Sequence, residues 1–202
     1  MGSEARGGAE IPATLRRALR PARSFAETAR EVALRPAAFF SKLTGGKGVM
    51  ASLLFAAACA AISTTAAELA TLTGLSGDWR GPGYALEVAG IGAGLWLAFV
   101  VLFTGVLHLL VRLLAGDGRR GIGTTAKIVG YSSTAQLGSW VPYIGWLFDL
   151  YFLYLVMVGV REAHRASEDR AIIVILIPMF LIFLAILIVS IAGIRGSMRL
   201  VG

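Results

Sequence analysis

The chain has 202 residues, of which 56% are hydrophobic and only 15% charged, and its mean hydropathy is +0.74. A soluble domain carries about 25% charged residues to cover its surface, so this composition excludes an ordinary soluble domain. The formal net charge is nevertheless +7 and the pI about 10.2. Most of that charge sits at the front, where residues 1–48 hold nine Lys and Arg against four acids. The single cysteine, Cys59, lies in an apolar run with no CxxC, which leaves no disulfide framework and no cysteine-based metal or redox site. Asn is absent, so the N-x-S/T glycosylation signal cannot occur. Arg outnumbers Lys sixteen to three, a usage that suggests a GC-rich bacterial genome.

Residues 1–23 hold Gly7, Gly8, Pro12 and Pro21 among scattered charges and read as disordered or loosely helical. A signal peptide is not expected, because the first long apolar stretch begins near Val49, beyond the usual window. Ser24 and Glu27 have capping-box spacing. Phe25, Ala29, Val32 and Ala33 then fall on one face of a short amphipathic helix that Pro36 ends. Phe39, Phe40, Lys42 and Leu43 follow. Rings beside an ammonium suit a lipid headgroup region, where the rings bury and the charge stays wet.

Five apolar segments come next. A hydrocarbon core of ~30 Å needs ~20 helical residues. The predicted spans are about 49–73, 84–112, 125–141, 143–160 and 171–194, with a short tail over 196–202. The 125–160 stretch is about 54 Å long as one helix, too long for a single span. Gly138, Pro142 and Gly145 interrupt it, and Trp140, Tyr143 and Trp146 flank the break. Proline removes a helix donor and such aromatics favour the interface, so a tight hairpin turning at Pro142 and Gly145 is predicted. Ser132, Ser133, Thr134 and Gln136 make the third span polar enough to be re-entrant, shielded by its neighbours.

Charge fixes the orientation. With five spans and the N-terminus in the cytosol, sixteen Lys and Arg fall inside and three outside. Merging the third and fourth spans gives fifteen and four. Positive-inside therefore sets the sidedness, and the length and the Pro-Gly break argue for five spans.

The motifs carry little chemistry. Gly116, Gly118 and Gly121 match GxGxxG, but without the strand-turn-helix setting that a dinucleotide site requires, so a loop is expected there. Gly90 and Gly94 form GxxxG, a candidate for close helix packing in lipid. Ionisable residues inside a span are costly and often functional. Asp149, Glu68 and His108 are the candidate intramembrane polar contacts, with Glu87 and Arg112 expected to reach the interfaces. An ion or proton path through Asp149 is the alternative to a bond with a neighbouring helix. HExxH, GxSxG and GxxxxGK[ST] are all absent. No catalytic residue, metal or cofactor is expected, and no nucleic-acid module accompanies the basic charge. That charge suits the anionic inner leaflet.

Several short motifs stand in a telling order. Pro36-Ala37-Ala38-Phe39-Phe40-Ser41-Lys42-Leu43 precedes the first span, and Gly130-Tyr131-Ser132-Ser133 lies in the third. Trp140-Val141-Pro142-Tyr143-Ile144-Gly145-Trp146 forms the hairpin, Gly159-Val160-Arg161-Glu162-Ala163-His164 closes the fourth span, and Arg170-Ala171 enters the fifth. Over roughly 36–194 this resembles the bacterial branch of the Yip family, the Ypt-interacting proteins. The resemblance implies five spans, a cytosolic N-terminus and a C-terminus outside. Eukaryotic members bind prenylated Rab-type GTPases in ER–Golgi traffic. This chain lacks their acidic Asp-Leu-Tyr-Gly-Pro-like motif, which argues against a small-GTPase partner, and Ala135 stands where a proline is frequent.

The expectation is an all-α polytopic protein of a bacterial inner membrane: a basic cytosolic segment over 1–48, then a five-span domain over 49–195. It is non-enzymatic and organises the bilayer or unidentified protein partners. The alternative is a small transporter or channel subunit using intramembrane polar residues.

Overall fold

In a computed structural model of the chain, the described residues are 13–43, 48–72, 80–114, 120–180 and 184, with side chains described from residue 23 onward. Every element among them is helical.

Helix α1 spans Ala13–Leu34. It starts well before the predicted cap at Ser24. Leu15 to Arg20 are strong helix formers that extend it, and the Ser24 carbonyl accepts from the Thr28 hydroxyl, 2.8 Å away, within the helix. The segment expected to be disordered or loosely helical is helical from Ala13, while residues 1–12 lie outside the described residues. The helix ends one residue short of Arg35, as expected ahead of a proline. Pro36 then opens α2, Pro36–Ser41, where its fixed φ suits a first helical turn.

These two helices are docked. Val32 and Phe40 are fully buried in the main core, together with Phe152, Leu155 and Val156. Ala29 joins Phe55 and Cys59 in a second cluster. The Tyr151 hydroxyl donates to the Ala33 carbonyl, and Glu31 pairs with Lys42 at 3.0 Å on the surface.

Helix α3 is Val49–Thr71 and α4 is Pro82–Leu114. Both are long and apolar enough to cross a membrane. They form an antiparallel pair. The 33 residues of α4 make it about 50 Å long at ~1.5 Å per residue, longer than a ~30 Å hydrocarbon core requires. The glycine that lets the pair approach is Gly92: a Cβ there would lie 2.5 Å from Thr64 Cγ2, whereas a Cβ on Gly90 or Gly94 would have nothing within 4 Å among the described residues. The close α3–α4 contact is thus at Gly92, on the opposite side of the same turn from Gly90 and Gly94. GxxxG spacing identifies a face without saying what that face meets.

The 125–160 stretch is divided into several helical pieces. Helix α5, Ile122–Ser132, runs into a 3-10 turn at Ser133–Ala135, then the single turn α6, Gln136–Ser139. After the hairpin bend, α7 covers Gly145–His164. Pro142 and Gly145 stand in the bend, where Ile144 N–H donates to the Pro142 carbonyl and Gly145 N–H to that of Val141, both at 2.9 Å. A Cβ on Gly145 would overlap the Ser139 carbonyl oxygen. Tyr143 takes a left-handed φ of 68° there and is 92% exposed.

Helix α5 lies in the middle of the bundle, against α3, α4 and α7. A Cβ on Gly130 would sit 2.8 Å from the Ser52 carbonyl oxygen. Further along, the Ser63 and Ser139 hydroxyls meet at 3.0 Å. These two contacts put α5–α6 in parallel register with α3. The bend thus lies level with Ser63, while α3 continues eight residues further to Thr71, about 12 Å. Residues 168–180 form a last helix, α8, with Ala171, Val174 and Ile175 buried in the main core. The rest of the predicted fifth span lies outside the described residues, except residue 184, which is helical.

Candidate functional site

Three helices meet at the end of the bundle near the α4–α5 connection, and a chain of polar groups joins them. His108 lies in the penultimate turn of α4, Thr125 in the first turns of α5, and His164 is the last residue of α7. Arg120 N–H donates to His164 Nδ1 at 3.0 Å. His164 Nε2 meets the Thr125 hydroxyl at 3.1 Å, and that hydroxyl meets His108 Nδ1 at 3.1 Å.

The direction of this chain follows from its one fixed donor. A backbone N–H can only donate, so His164 Nδ1 is bare and the proton of the neutral ring is on Nε2. His164 then donates to Thr125 Oγ1, whose own O–H is left to donate to His108 Nδ1. Burial agrees with a neutral ring: His164 and Thr125 are fully buried. Burial pushes the His164 pKa down to about 4, and the nearby His108 and Arg120 act in the same direction. Arg165 closes the helix in the left-handed region, φ 54°, which turns the chain away immediately after His164. The Arg120 guanidinium, meanwhile, donates to the Leu43 carbonyl just past α2. One residue thereby ties the N-terminal helices to the histidine chain.

A second line of polar contacts runs toward the bend. Trp96 Nε1 donates to Ser133 Oγ at 2.9 Å, tying α4 to the 3-10 turn. Ser139 donates to the Gln136 carbonyl at 3.0 Å and lies 2.9 Å from Gln136 Oε1. Thr104 Oγ1 and Ser132 Oγ are buried without a hydrogen-bond partner among the described residues. Lys127, only 4% exposed, lies on the same central helix.

Of the candidate intramembrane contacts, only His108 is drawn into this network. Asp149 faces outward from α7 and is exposed, and no hydrogen bond or ion pair holds it to a neighbouring helix among the described residues. Glu68 is half-buried late in α3. No bond joins Asp149, Glu68 and His108 to one another among those residues. Sequence reasoning passed over Thr125 and His164, the two groups that complete the chain. Their spacing of 39 residues carries no periodic signal. The available clue was a histidine closing a helix opposite another at the same end of the bundle. No group of three or more potential metal-ligating side chains occurs among the described residues.

The arrangement can hold helices together but brings no nucleophile to a carboxylate. The two long apolar helices carry outward faces that include Leu54 and Leu69 of α3 and Leu86 and Leu102 of α4, all exposed, while the polar side chains of α5 turn inward. That is the construction of a helical membrane protein. Among known families, the Yip1 domain matches residues 30–190. The chain belongs to this family, and the match takes in the last turn of α1 as well as the helices that follow. No curated protein and no solved structure matches it.

Proposed function

We propose that this protein is a non-enzymatic, multi-pass component of a bacterial inner membrane that organises protein partners or the bilayer itself. In this reading five apolar segments, about 49–73, 84–112, 125–141, 143–160 and 171–194, cross the membrane, and the excess of Lys and Arg on one side supports a cytosolic N-terminus and a C-terminus outside. The domain limits of 1–48, 49–195 and 196–202 belong to the same reading. The α5–α7 hairpin enters and leaves from the cytosolic side however deeply its bend penetrates, so the sidedness does not depend on the depth of the third segment.

The observation that carries this reading is the fate of the polar groups. Ser133, Ser139, Thr125 and both histidines are spent on bonds between helices or within the hairpin. A solute pathway would instead need such groups facing a shared cavity. Helix–helix bonds of this kind hold a rigid bundle, which suits a scaffold that presents a basic cytosolic surface.

Reporters fused after Leu75, Gly118, Ser167 and Gly202 should read outside, inside, inside and outside; a cytosolic C-terminus overturns the topology. Photo-crosslinking in the native host should capture discrete partners or reveal altered membrane shape on deletion. Solute flux through the purified protein in proteoliposomes would refute the non-transport reading.

A further inference from the structure

Two side-chain hydrogen bonds tie α4 to α5. His108 meets Thr125 at 3.1 Å near one end of the interface, and Trp96 Nε1 meets Ser133 Oγ at 2.9 Å nearer the bend. Between them in sequence on each helix lie Thr104 and Ser132, whose buried hydroxyls have no hydrogen-bond partner among the described residues. Both share a face with the His108–Thr125 bond. Thr104 stands four residues before His108, one turn away on the same side of α4. Ser132 stands seven residues after Thr125, two turns along nearly the same line of α5.

Their heights agree as well. Measured from the His108–Thr125 bond toward the bend, Thr104 lies about 6 Å along and Ser132 about 10.5 Å, at ~1.5 Å per residue. Helical side chains lean toward the N-terminus of their own helix. Because α4 and α5 run in opposite directions, that lean carries Thr104 toward the bend and Ser132 away from it, so the two hydroxyls approach each other. Neither turns back on its own backbone. Thr28, Thr64, Thr65, Ser52 and Ser133 each donate to a carbonyl three or four residues earlier, whereas Thr104 and Ser132 do not, nor do they bond to one another. Each is both a donor and an acceptor, and leaving two such groups unsatisfied in an interior is costly. A water also donates and accepts, and bonded to both at ~2.8 Å it bridges oxygens up to about 5.6 Å apart.

We propose that Thr104 and Ser132 hold one buried water molecule, the middle rung of a polar ladder whose outer rungs are His108–Thr125 and Trp96–Ser133. Neither helix carries an acid over 96–108 or 125–133, and Lys127 lies on the same arm, so the site suits a neutral ligand rather than a cation. Buried waters of this kind satisfy polar groups that the protein itself leaves unpaired. The water goes beyond the proposed function and does not depend on sidedness.

The test is water-edited magic-angle-spinning NMR on the full chain in lipid bilayers, with serine and threonine labelled with carbon-13. It reads how fast magnetisation passes from water to each side chain. In the wild type, Thr104 and Ser132 should build up at least fivefold faster than Ser52, which is fully buried and bonded within its own helix. Thr104→Val should slow the build-up at Ser132, and Ser132→Ala that at Thr104, each at least fivefold, with Ser52 unchanged. Thr104→Ser, which keeps the hydroxyl, should retain the Ser132 signal. Wild-type build-up no faster than at Ser52 overturns the site. A signal that survives loss of the opposite hydroxyl overturns the bridge. Should Thr104→Val fail to fold, Ser132→Ala decides on the same readout. Release of the water returns the entropy of holding it, which offsets the lost bonds, so the melting midpoint does not report on this site and the build-up rates do.

Discussion

The α3–α4 pair and the α5–α7 hairpin are two antiparallel helix pairs built on opposite plans. The first is apolar around most of its circumference, with large side chains such as Leu86 and Leu102 over 70% exposed. The second is turned inside out. Thr124, Thr125, Lys127, Ser132, Ser133 and Thr134 of its first arm are all buried, and Gly130 and Gly145 meet backbone rather than empty space. One pair turns its large apolar side chains outward, whereas the first arm of the other is enclosed by protein. A polar segment is tolerated at membrane depth when neighbouring helices satisfy it, and here α4 does so through Trp96 and His108.

If that contrast is right, substitutions of the same kind should have unequal effects in the two pairs. The largest effect is expected at Gly130 and Gly145. Gly130→Val and Gly145→Val drive side-chain atoms into the carbonyls of Ser52 and Ser139 and should cost at least ~2–3 kcal/mol, read as a lowered thermal midpoint in detergent. Gly90→Ala and Gly94→Ala, which meet open space, should change it by no more than about 1 kcal/mol and in the stabilising direction. Equal losses at all four positions would erase the distinction between the pairs.

Next comes Thr125→Val. It removes two hydrogen bonds and leaves two histidines short of a partner, at about 1–3 kcal/mol for a buried group left unsatisfied. Thr125→Ser should restore most of the loss in the same melting experiment. The pH dependence should follow His164. Its pKa in the folded chain, about 4, lies below the ordinary value near 6.5. As pH falls through that window the unfolded chain takes up a proton that the folded chain refuses, so stability declines. Above the window this contribution is constant. A scan of the melting midpoint from pH 8 to pH 4 should show that decline, and His164→Gln, which keeps an acceptor and a donor but does not titrate, should flatten it.

Trp96→Phe should lose about 0.6 kcal/mol, the mean for hydrogen bonds between membrane helices. Ser132→Ala, which deletes a buried hydroxyl without a partner, should be neutral or slightly stabilising. A large loss at Ser132 would mean that the interior of the hairpin is not satisfied in the way its contacts indicate.

What could be read from the residues divides along the same line. Helices α3 and α4 were legible almost to their ends, because hydropathy and length report directly on contact with lipid. The break at Pro142 and Gly145 was legible because backbone chemistry there is local. The start of α1 was missed: the Ser24–Glu27 spacing suggests a cap, but the helix formers before it continue the helix. The packing glycine and the histidine chain were not legible. The contact of Gly92 with Thr64, and Thr125 and His164 as partners of His108, depend on how helices rotate about their axes. Periodicity within one helix does not encode that rotation. Asp149 stood out in sequence for its charge, and it is the residue the bundle leaves outside.

The hydrogen bonds that dock the N-terminal helices also impose an order on synthesis. The Leu43 carbonyl waits for Arg120, 77 residues later, and the Ala33 carbonyl for Tyr151, 118 residues later. Helices α1 and α2 therefore leave the ribosome before their seats exist. Until α7 has emerged, their buried side chains, Val32 and Phe40 among them, must be kept from water by something other than the finished bundle. The adjacent bilayer surface, which the arginines of α1 already favour, is the shelter at hand, so the first segment made is among the last to settle.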